Sequence, residues 1–311
     1  MLAMAQPTVP RCADTGKKDE CMTQVIAGNR TYIGEYKKNK RNGNFAVRYT
    51  ESNYVGGFSD GQKSGMGAFT YSGKAPGLYV GEFFKGRKKG RGVEIFESGA
   101  IYVGEYSRDR RNGRFIVSYG LKSAYVGDFV DNKKHGRGAS FLRNGWRYVG
   151  EFSEGQRHGR GVLYGPDGSV KRSGVWEKGN LKEAKDIRGY DFDFNEEIAG
   201  KRFAVFCTGE KKDCLISSGP KGKGGTERFV GEHWKGKRMG AFAWASKSND
   251  QYAVAQYVDG RRNGFGVYRW GKKSKWAGDL YVGNFANNWR DGVGVYAYES
   301  GNSYIGEWVN G

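Results

Sequence analysis

One internal period, near 23 residues, governs this sequence and limits what it can fold into. Tyr32, Tyr54, Tyr79, Tyr102, Tyr125 and Tyr148 open six segments spaced by 22, 25, 23, 23 and 23 residues. A second series opens at Phe229, Ala253 and Tyr281, making nine full copies. A degenerate copy lies around Gly174-Val175-Trp176, and Tyr304-Ile305-Gly306-Glu307-Trp308 is a truncated one. Such a chain stacks one small unit against the next instead of wrapping its elements around a central core.

With the opening residue as zero, glycine stands at +2 in eight of nine copies and an aromatic at +4 in eight of nine. Position +7 is always Gly, Asn or Asp, the types that best tolerate the positive φ of a tight hairpin turn. Glycine fills +11 in all nine copies and +13 in six. The unit therefore reads as strand, turn, strand, as in Tyr79-Val-Gly-Glu-Phe, then Lys85-Gly86, then Gly90-Arg-Gly-Val-Glu-Ile-Phe. Openers and +4 aromatics share parity and so share one face, with the +2 glycines leaving room between rings. The composition agrees: 52 glycines, five prolines and 15% aromatics suit many short strands joined by tight turns. The expected fold is all-β: an elongated, single-layer antiparallel solenoid of stacked hairpins in two arrays. Nine two-stranded copies in one sheet would span roughly 85 Å.

The segment Tyr148-Val-Gly-Glu-Phe-Ser-Glu-Gly-Gln-Arg-His-Gly-Arg-Gly-Val-Leu-Tyr resembles the MORN motif (membrane occupation and recognition nexus) almost letter for letter. Segments of this kind cover about three quarters of the chain. The resemblance implies a repeat protein that works by presenting a surface. The family's name implies membrane association, while its members also act as protein scaffolds.

Residues 1–31 read as an N-terminal tail and cap, 32–181 as the first array, 182–228 as a linker and second cap, and 229–311 as the second array. The caps rest on an echo. Cys207-Thr-Gly-Glu-Lys-Lys-Asp-Cys214 repeats the character of Thr15-Gly-Lys-Lys-Asp-Glu-Cys21, and Cys12 completes the first pair. Neither pair has the CxxC spacing of a zinc site. Local pairs point to disulfides Cys12–Cys21 and Cys207–Cys214 and to an oxidising compartment, with free cytosolic thiols as the alternative. Ala3-Met4-Ala5 has the form of a signal-peptidase site. A similar cysteine preface in bacterial members of the resembling family implies an exported protein. Periplasmic or secreted localisation is expected, against cytoplasmic or peripheral-membrane alternatives.

Chemistry finds few residues that the scaffold leaves over. His135 and His158 occupy +10, and His233 replaces a +4 aromatic, so no histidine stands apart as a general base. HExxH and GxSxG are absent. The stretch from Gly266 to Gly271-Lys272 resembles a phosphate loop, but Lys273 stands where Ser or Thr must hold Mg²⁺. The acidic +3 residues Glu35, Glu82, Glu105, Asp128, Glu151 and Glu232 read as scaffold. Asp191, Asp193, Glu196 and Glu197 read as a solvated linker, with a Ca²⁺ site the lesser alternative. No enzyme activity, cofactor or metal is expected.

A basic ladder carries the remaining signal. Position +9 is Lys or Arg in every copy: Arg41, Lys63, Lys88, Arg111, Lys134, Arg157, Arg238, Arg262 and Arg290. Position +8 adds Lys40, Arg87, Arg110, Lys133, Lys237 and Arg261, in a chain of net charge +19. These residues are expected to stripe the turn edge. The stripe either binds an anionic surface or keeps a glycine-rich sheet soluble. The resulting expectation is a non-catalytic scaffold whose unidentified protein partner lies along the aromatic or glycine-lined face. The alternative is peripheral binding of anionic phospholipid or another polyanion through the +9 residues. Nucleic acid ranks below both, because export would separate the protein from it. The unfinished last hairpin makes end-to-end self-association a further expectation.

Overall fold

A computed structural model describes residues 12, 21–71, 77–119, 123–142, 144–167, 169–187, 197–198, 201–202, 204–208, 213–218, 227–234, 237–246 and 248–311. Between 197 and 234 the description is of the backbone, glycine included. Among the described residues every regular element is a strand. Each copy folds as one hairpin, such as Gly77–Phe84 returning as Arg87–Phe96.

The turn has two residues, and both lie in the left-handed region. Position +6 takes φ near 50° whatever its type (48° at Lys85, 51° at Glu154), and +7 takes 60° at Asn39 and 80° at Gly86. Two consecutive positive φ values define the primed turn whose twist matches that of paired strands. The sequence marks only +7, because +6 mixes Asp and Asn, which tolerate this region, with Lys, Arg and Glu, which enter it against their own preference. The invariant +11 glycine has a separate cause. It also takes positive φ, 83° at Gly90 and 61° at Gly240, where the hairpin register slips past +3. This is a glycine-requiring bulge. The +3 side chain fills it by accepting from the +12 amide: Arg91 N–H donates to Glu82 at 2.9 Å and Arg160 N–H to Glu151 at 2.9 Å.

Fifteen strands, from Cys21–Ala27 to Asn180–Ala184, form one antiparallel sheet in strict sequence order. Nine more, from Ala204–Thr208 to Ser303–Trp308, form a second. The degenerate copy is a hairpin, Val170–Glu177 with Asn180–Ala184. Both cap segments enter the sheets: Cys21–Ala27 pairs with Arg30–Lys37, and Asp213–Ser218 pairs with Glu227–Trp234. Cys12 and Cys21 are joined by a disulfide with Cα atoms 4.8 Å apart. Cys207 and Cys214 are register partners, though their side chains lie outside the described residues, as do those of Asp191, Asp193, Glu196 and Glu197.

The single elongated layer expected from the repeats is corrected to two layers. Valines at +1 and small aliphatics at +14 face away from the aromatics, and one core cluster joins them across the sheets. Val80, Val93, Val103, Ile116, Val126 and Val149 of the first sheet share it with Ala241, Val254, Phe265, Val267 and Val282 of the second. The second sheet runs back along the first: Lys237–Ser246 packs on Arg110–Tyr119, Arg261–Arg269 on Arg87–Phe96, and Trp289–Ala297 on Gln62–Tyr71. The physical reason is that a row of short aliphatic side chains cannot exclude water alone. Two such rows pressed together remove apolar area from water on both sides.

Candidate binding surfaces

The aromatic face shows first what is not available for binding. In copies with glycine at +13, the opening tyrosine lies flat across the glycine pair of its own hairpin. Gly81 and Gly92 are register partners, and a Cβ on either would stand 2.5 Å or 2.6 Å from the Tyr79 hydroxyl. Stretched over this gap, the hydroxyl donates to the +3 carbonyl: Tyr79 to Glu82 at 3.1 Å, Tyr125 to Asp128 at 3.1 Å, Tyr281 to Asn284 at 2.9 Å. In the other copies Phe45, Phe115 and Phe242 occupy +13 and press their own rings over the +2 glycine. One ring thus covers the hairpin's glycine, supplied by either strand, except in the copy opening at Ala253, where Ala255 packs on Gly266 instead. Neighbouring rings meet edge-on, as in Tyr79–Phe83 at 5.2 Å and Tyr148–Trp176 at 5.4 Å. Tyr54, Tyr79, Tyr125 and Tyr148 are completely buried.

The +9 cations belong to this face and do not form the freely exposed stripe expected at the turn edge. All nine are half-buried. Each charge sits over a ring: Lys63 is 3.8 Å from the Phe69 centroid, Arg111 4.1 Å from Tyr102, Arg157 4.4 Å from Trp176 and Arg262 4.1 Å from Tyr268. Arg41, Lys88, Lys134, Arg238 and Arg290 lie over rings in the same way, 4.3–5.0 Å from their centroids. The guanidinium groups of Arg41, Arg157 and Arg290 also donate to the carbonyls of Gly61, Gly179 and Gly311, in the turns that follow. Each +9 carbonyl accepts from the next copy's +7 amide, as Gly86 N–H donates to Lys63 O at 2.9 Å. Position +9 therefore staples successive turns. Burial pulls the pKa of Lys63 and of Lys134 down to about 8, since an ammonium over a ring has lost part of its water.

The exposed charges stand at +8, and most meet a counter-charge at +6 of the next copy. Lys40 pairs with Asp60 at 3.2 Å, Arg110 with Asp131 at 3.2 Å, Lys237 with Asp259 at 3.4 Å, and Lys133 with Glu154. Lysine or arginine stands at +6 in four copies, as Lys38, Lys85, Arg108 and Lys235, and two of these, Lys85 and Arg108, fall in successive copies of the first sheet. Lys85, Arg87 and Lys89 of the one copy and Arg108 of the next have no ion pair among the described residues. Phe84, 48% exposed, is the register partner of Arg87, with Lys89 Nζ 4.4 Å and Lys85 Nζ 5.4 Å from its ring centroid. The +6 pattern was readable in the sequence, but only once +8 and +6 of adjacent copies are known to be neighbours.

A second open surface lies where the layers end out of step. The second sheet stops short of the first hairpins, and the +1 row emerges from cover: Val80 and Val126 are fully buried, whereas Ile33 is 45% exposed. A cleft of about 540 Å³ opens there, floored by Ile33, Val55, Ala46 and Met66 and bordered by Val293 and Gly306 of the second sheet. Among the described residues, no group of three or more His, Cys, Asp or Glu is placed to hold a metal. Gly266 of the phosphate-loop look-alike lies within the strand Arg261–Arg269, and no helix follows it to receive a phosphate.

The family model for the MORN repeat matches residues 32–44, 54–74, 79–101, 102–114, 125–147, 148–170, 254–275, 281–303 and 304–311, more than half of the chain. The chain belongs to the MORN-repeat family. The copy opening at Phe229 falls outside these matches. No curated protein matches the chain. Family membership fits a repeat scaffold or binding protein, in a family that is generally non-catalytic and often associated with membranes or phospholipid.

Proposed function

We propose that the protein is a non-catalytic scaffold that presents the open end of its two-layer stack to a protein partner. The observation that carries this reading is the emergence of the valine face from cover at the first hairpins. From Val80 to Val149 this face is dry. At Ile33 and Met22, 41% exposed, it lies bare. A contiguous apolar surface of this kind marks an interaction site. The aromatic face is a weaker candidate than the sequence suggests, since its rings are already buried by one another and by the +9 cations. A photo-crosslinking amino acid at position 33, in cells that make the protein, tests the reading. Covalent capture of one defined protein is expected. Capture of none, under conditions where a probe at another exposed site does react, contradicts it.

A second reading is favoured by the patch around Phe84: peripheral binding to an anionic membrane. Lys85 and Lys89 over an exposed ring, with Arg87 opposite it and Arg108 in the next copy, none of them in an ion pair among the described residues, suit a lipid surface, each contributing about 1 kcal/mol near it. On this reading the anion-facing residues are Lys85, Arg87, Lys89 and Arg108 more than the +9 set, whose charges are already engaged. Co-sedimentation with anionic but not neutral vesicles, lost in high salt and lost in a Phe84→Ser, Lys85→Gln, Lys89→Gln variant, is the expected result. Equal sedimentation of that variant would sink it. Export to an oxidising compartment is proposed from the Cys12–Cys21 bond, which is typical of such compartments.

A further inference from the structure

We propose that the loop 271–278 of the second array is a binding site for a polysaccharide of uronic acids. Trp276 stacks on a sugar ring, and Lys272, Lys273 and Lys275 meet its carboxylates.

The loop is an addition to the repeat. Ala253 and Tyr281 open copies 28 residues apart, against 22–25 within the first array and 24 from Phe229 to Ala253. Arg261–Arg269 pairs with Gln251–Val258 before it and with Leu280–Ala286 after it, so the extra residues serve no strand. They are nevertheless held in one shape. Asn249 anchors the entry: Lys272 N–H donates to its carbonyl at 2.8 Å and Lys273 N–H to its Oδ1 at 3.0 Å. Two turns follow, closed by Ser274 N–H on Gly271 O at 2.9 Å and Ala277 N–H on Ser274 O at 3.1 Å. Gly278 N–H on Trp270 O at 3.0 Å ties the exit. The buried Asp279 then accepts from the Tyr296 hydroxyl and the Glu299 amide. An ordered loop that the repeat does not need, set on a rigid sheet, is where function concentrates. Such a loop loses little conformational entropy when a ligand binds.

What it presents is an indole among ammonium groups. Trp276 is 47% exposed and is braced by Trp270, whose ring lies 6.2 Å away and itself packs on Tyr268 and Tyr296. Lys275 Nζ is 4.3 Å from the Trp276 ring centroid. Lys272, Lys273 and Lys275 are exposed and have no ion pair among the described residues. The acids nearby are engaged: Asp279 by the bonds above, and Asp250 and Glu299 by Arg269, at 3.5 Å and 3.9 Å. One sign of charge around an apolar ring selects an anionic ligand with an apolar face. A uronic acid chain has both, since each sugar carries a carboxylate and a face of C–H groups that packs on an indole. Lysine suits it, being a point charge that meets a carboxylate from many directions. Bases would stack on the same ring. The choice against nucleic acid rests on the export reading.

The test titrates the full-length protein with labelled hexagalacturonate at physiological ionic strength, read by fluorescence polarisation, beside hexaglutamate and hexathymidylate. Saturable binding is expected, several-fold tighter than that of hexaglutamate, which has the carboxylates without the rings. Trp276→Ala should weaken it roughly fivefold. Replacing Lys272, Lys273 and Lys275 together by Gln should weaken it roughly tenfold. Both variants should keep the circular dichroism spectrum, because all four side chains are exposed. The exposed Arg48, Arg91 and Arg172, replaced together by Gln, remove the same charge from the first sheet and should leave affinity within about twofold. No binding, equal affinity for hexaglutamate, or binding unmoved by Trp276→Ala overturns the proposal. An equal loss in the Arg48, Arg91, Arg172 variant overturns it too, by making the overall charge the cause. Tighter binding of hexathymidylate would make the loop a nucleic-acid site and contradict the choice that export dictated. The scaffold reading stands or falls separately, on capture at position 33.

Discussion

The two faces of the first sheet solve the same problem in opposite ways. The aromatic face is self-sufficient. Tyr79, Tyr125 and Tyr148 reach zero exposure within their own sheet, through edge-on rings, a hydroxyl bonded to the backbone, and a cation from +9 laid over the ring. The valine face depends on another layer. Val80, Val103 and Val126 are dry where the second sheet lies over them, and Ile33 is wet where it does not. Long flat rings can cover a backbone laterally, whereas short β-branched groups project upward and need a surface to meet. The first face is thus dry within its own sheet, and the second only under another layer.

Substitutions that break this contrast should do so unequally. The largest effect belongs to Tyr79→Ala, which removes a fully buried ring, its hydroxyl bond and the seat of Lys88. A loss of about 3–5 kcal/mol is expected in chemical denaturation. Next comes Val103→Asp, which places a charge between the layers and should cost about 2–4 kcal/mol. Its signature is distinct: faster hydrogen exchange in both sheets at once, where Tyr79→Ala acts mainly on the first.

Lysine burial predicts a smaller, pH-dependent effect. The folded pKa of Lys63 and of Lys134 is near 8, below the unfolded value of about 10.4. Between these values the unfolded chain holds protons that the folded chain has released, so stability rises with pH from about 8 towards 10. Replacing both lysines by methionine should flatten that rise in urea titrations and lift the Tm at pH 7 by roughly 2 °C. An unchanged slope would mean the two ammonium groups are better hydrated than the packing indicates. The smallest effect belongs to the turn edge. Lys133→Gln should change stability by less than about 0.5 kcal/mol, because its ion pair with Glu154 is exposed. Even that change should vanish at high salt.

Much of this was legible in the sequence. The period, the hairpin, the turn at +7 and the shared face of the rings follow from spacing and residue type. The alternation at +13 was visible too, yet Phe45 and Phe115 reveal their purpose only when each is seen to replace a tyrosine over glycine. The placement of +9 was misjudged because it was assigned to the turn edge, whereas Lys88 is the register partner of Phe83 and so shares the aromatic face, over Tyr79. The second layer was not readable at all. Valine at +1 satisfies a strand pattern whether or not another sheet covers it, and nothing local to Val80 points to the strands Leu280–Ala286 and Trp289–Ala297 that pack on its own.

Small-angle X-ray scattering tests the central claim, that the second array lies back over the first through their valine faces. Fifteen strands at about 4.8 Å give a body about 70 Å long. Were the fifteen and nine strands joined as one sheet, it would run to about 115 Å with the cross-section of a single layer. A short particle with a two-layer cross-section is the predicted result, and a long particle one layer thick would contradict it.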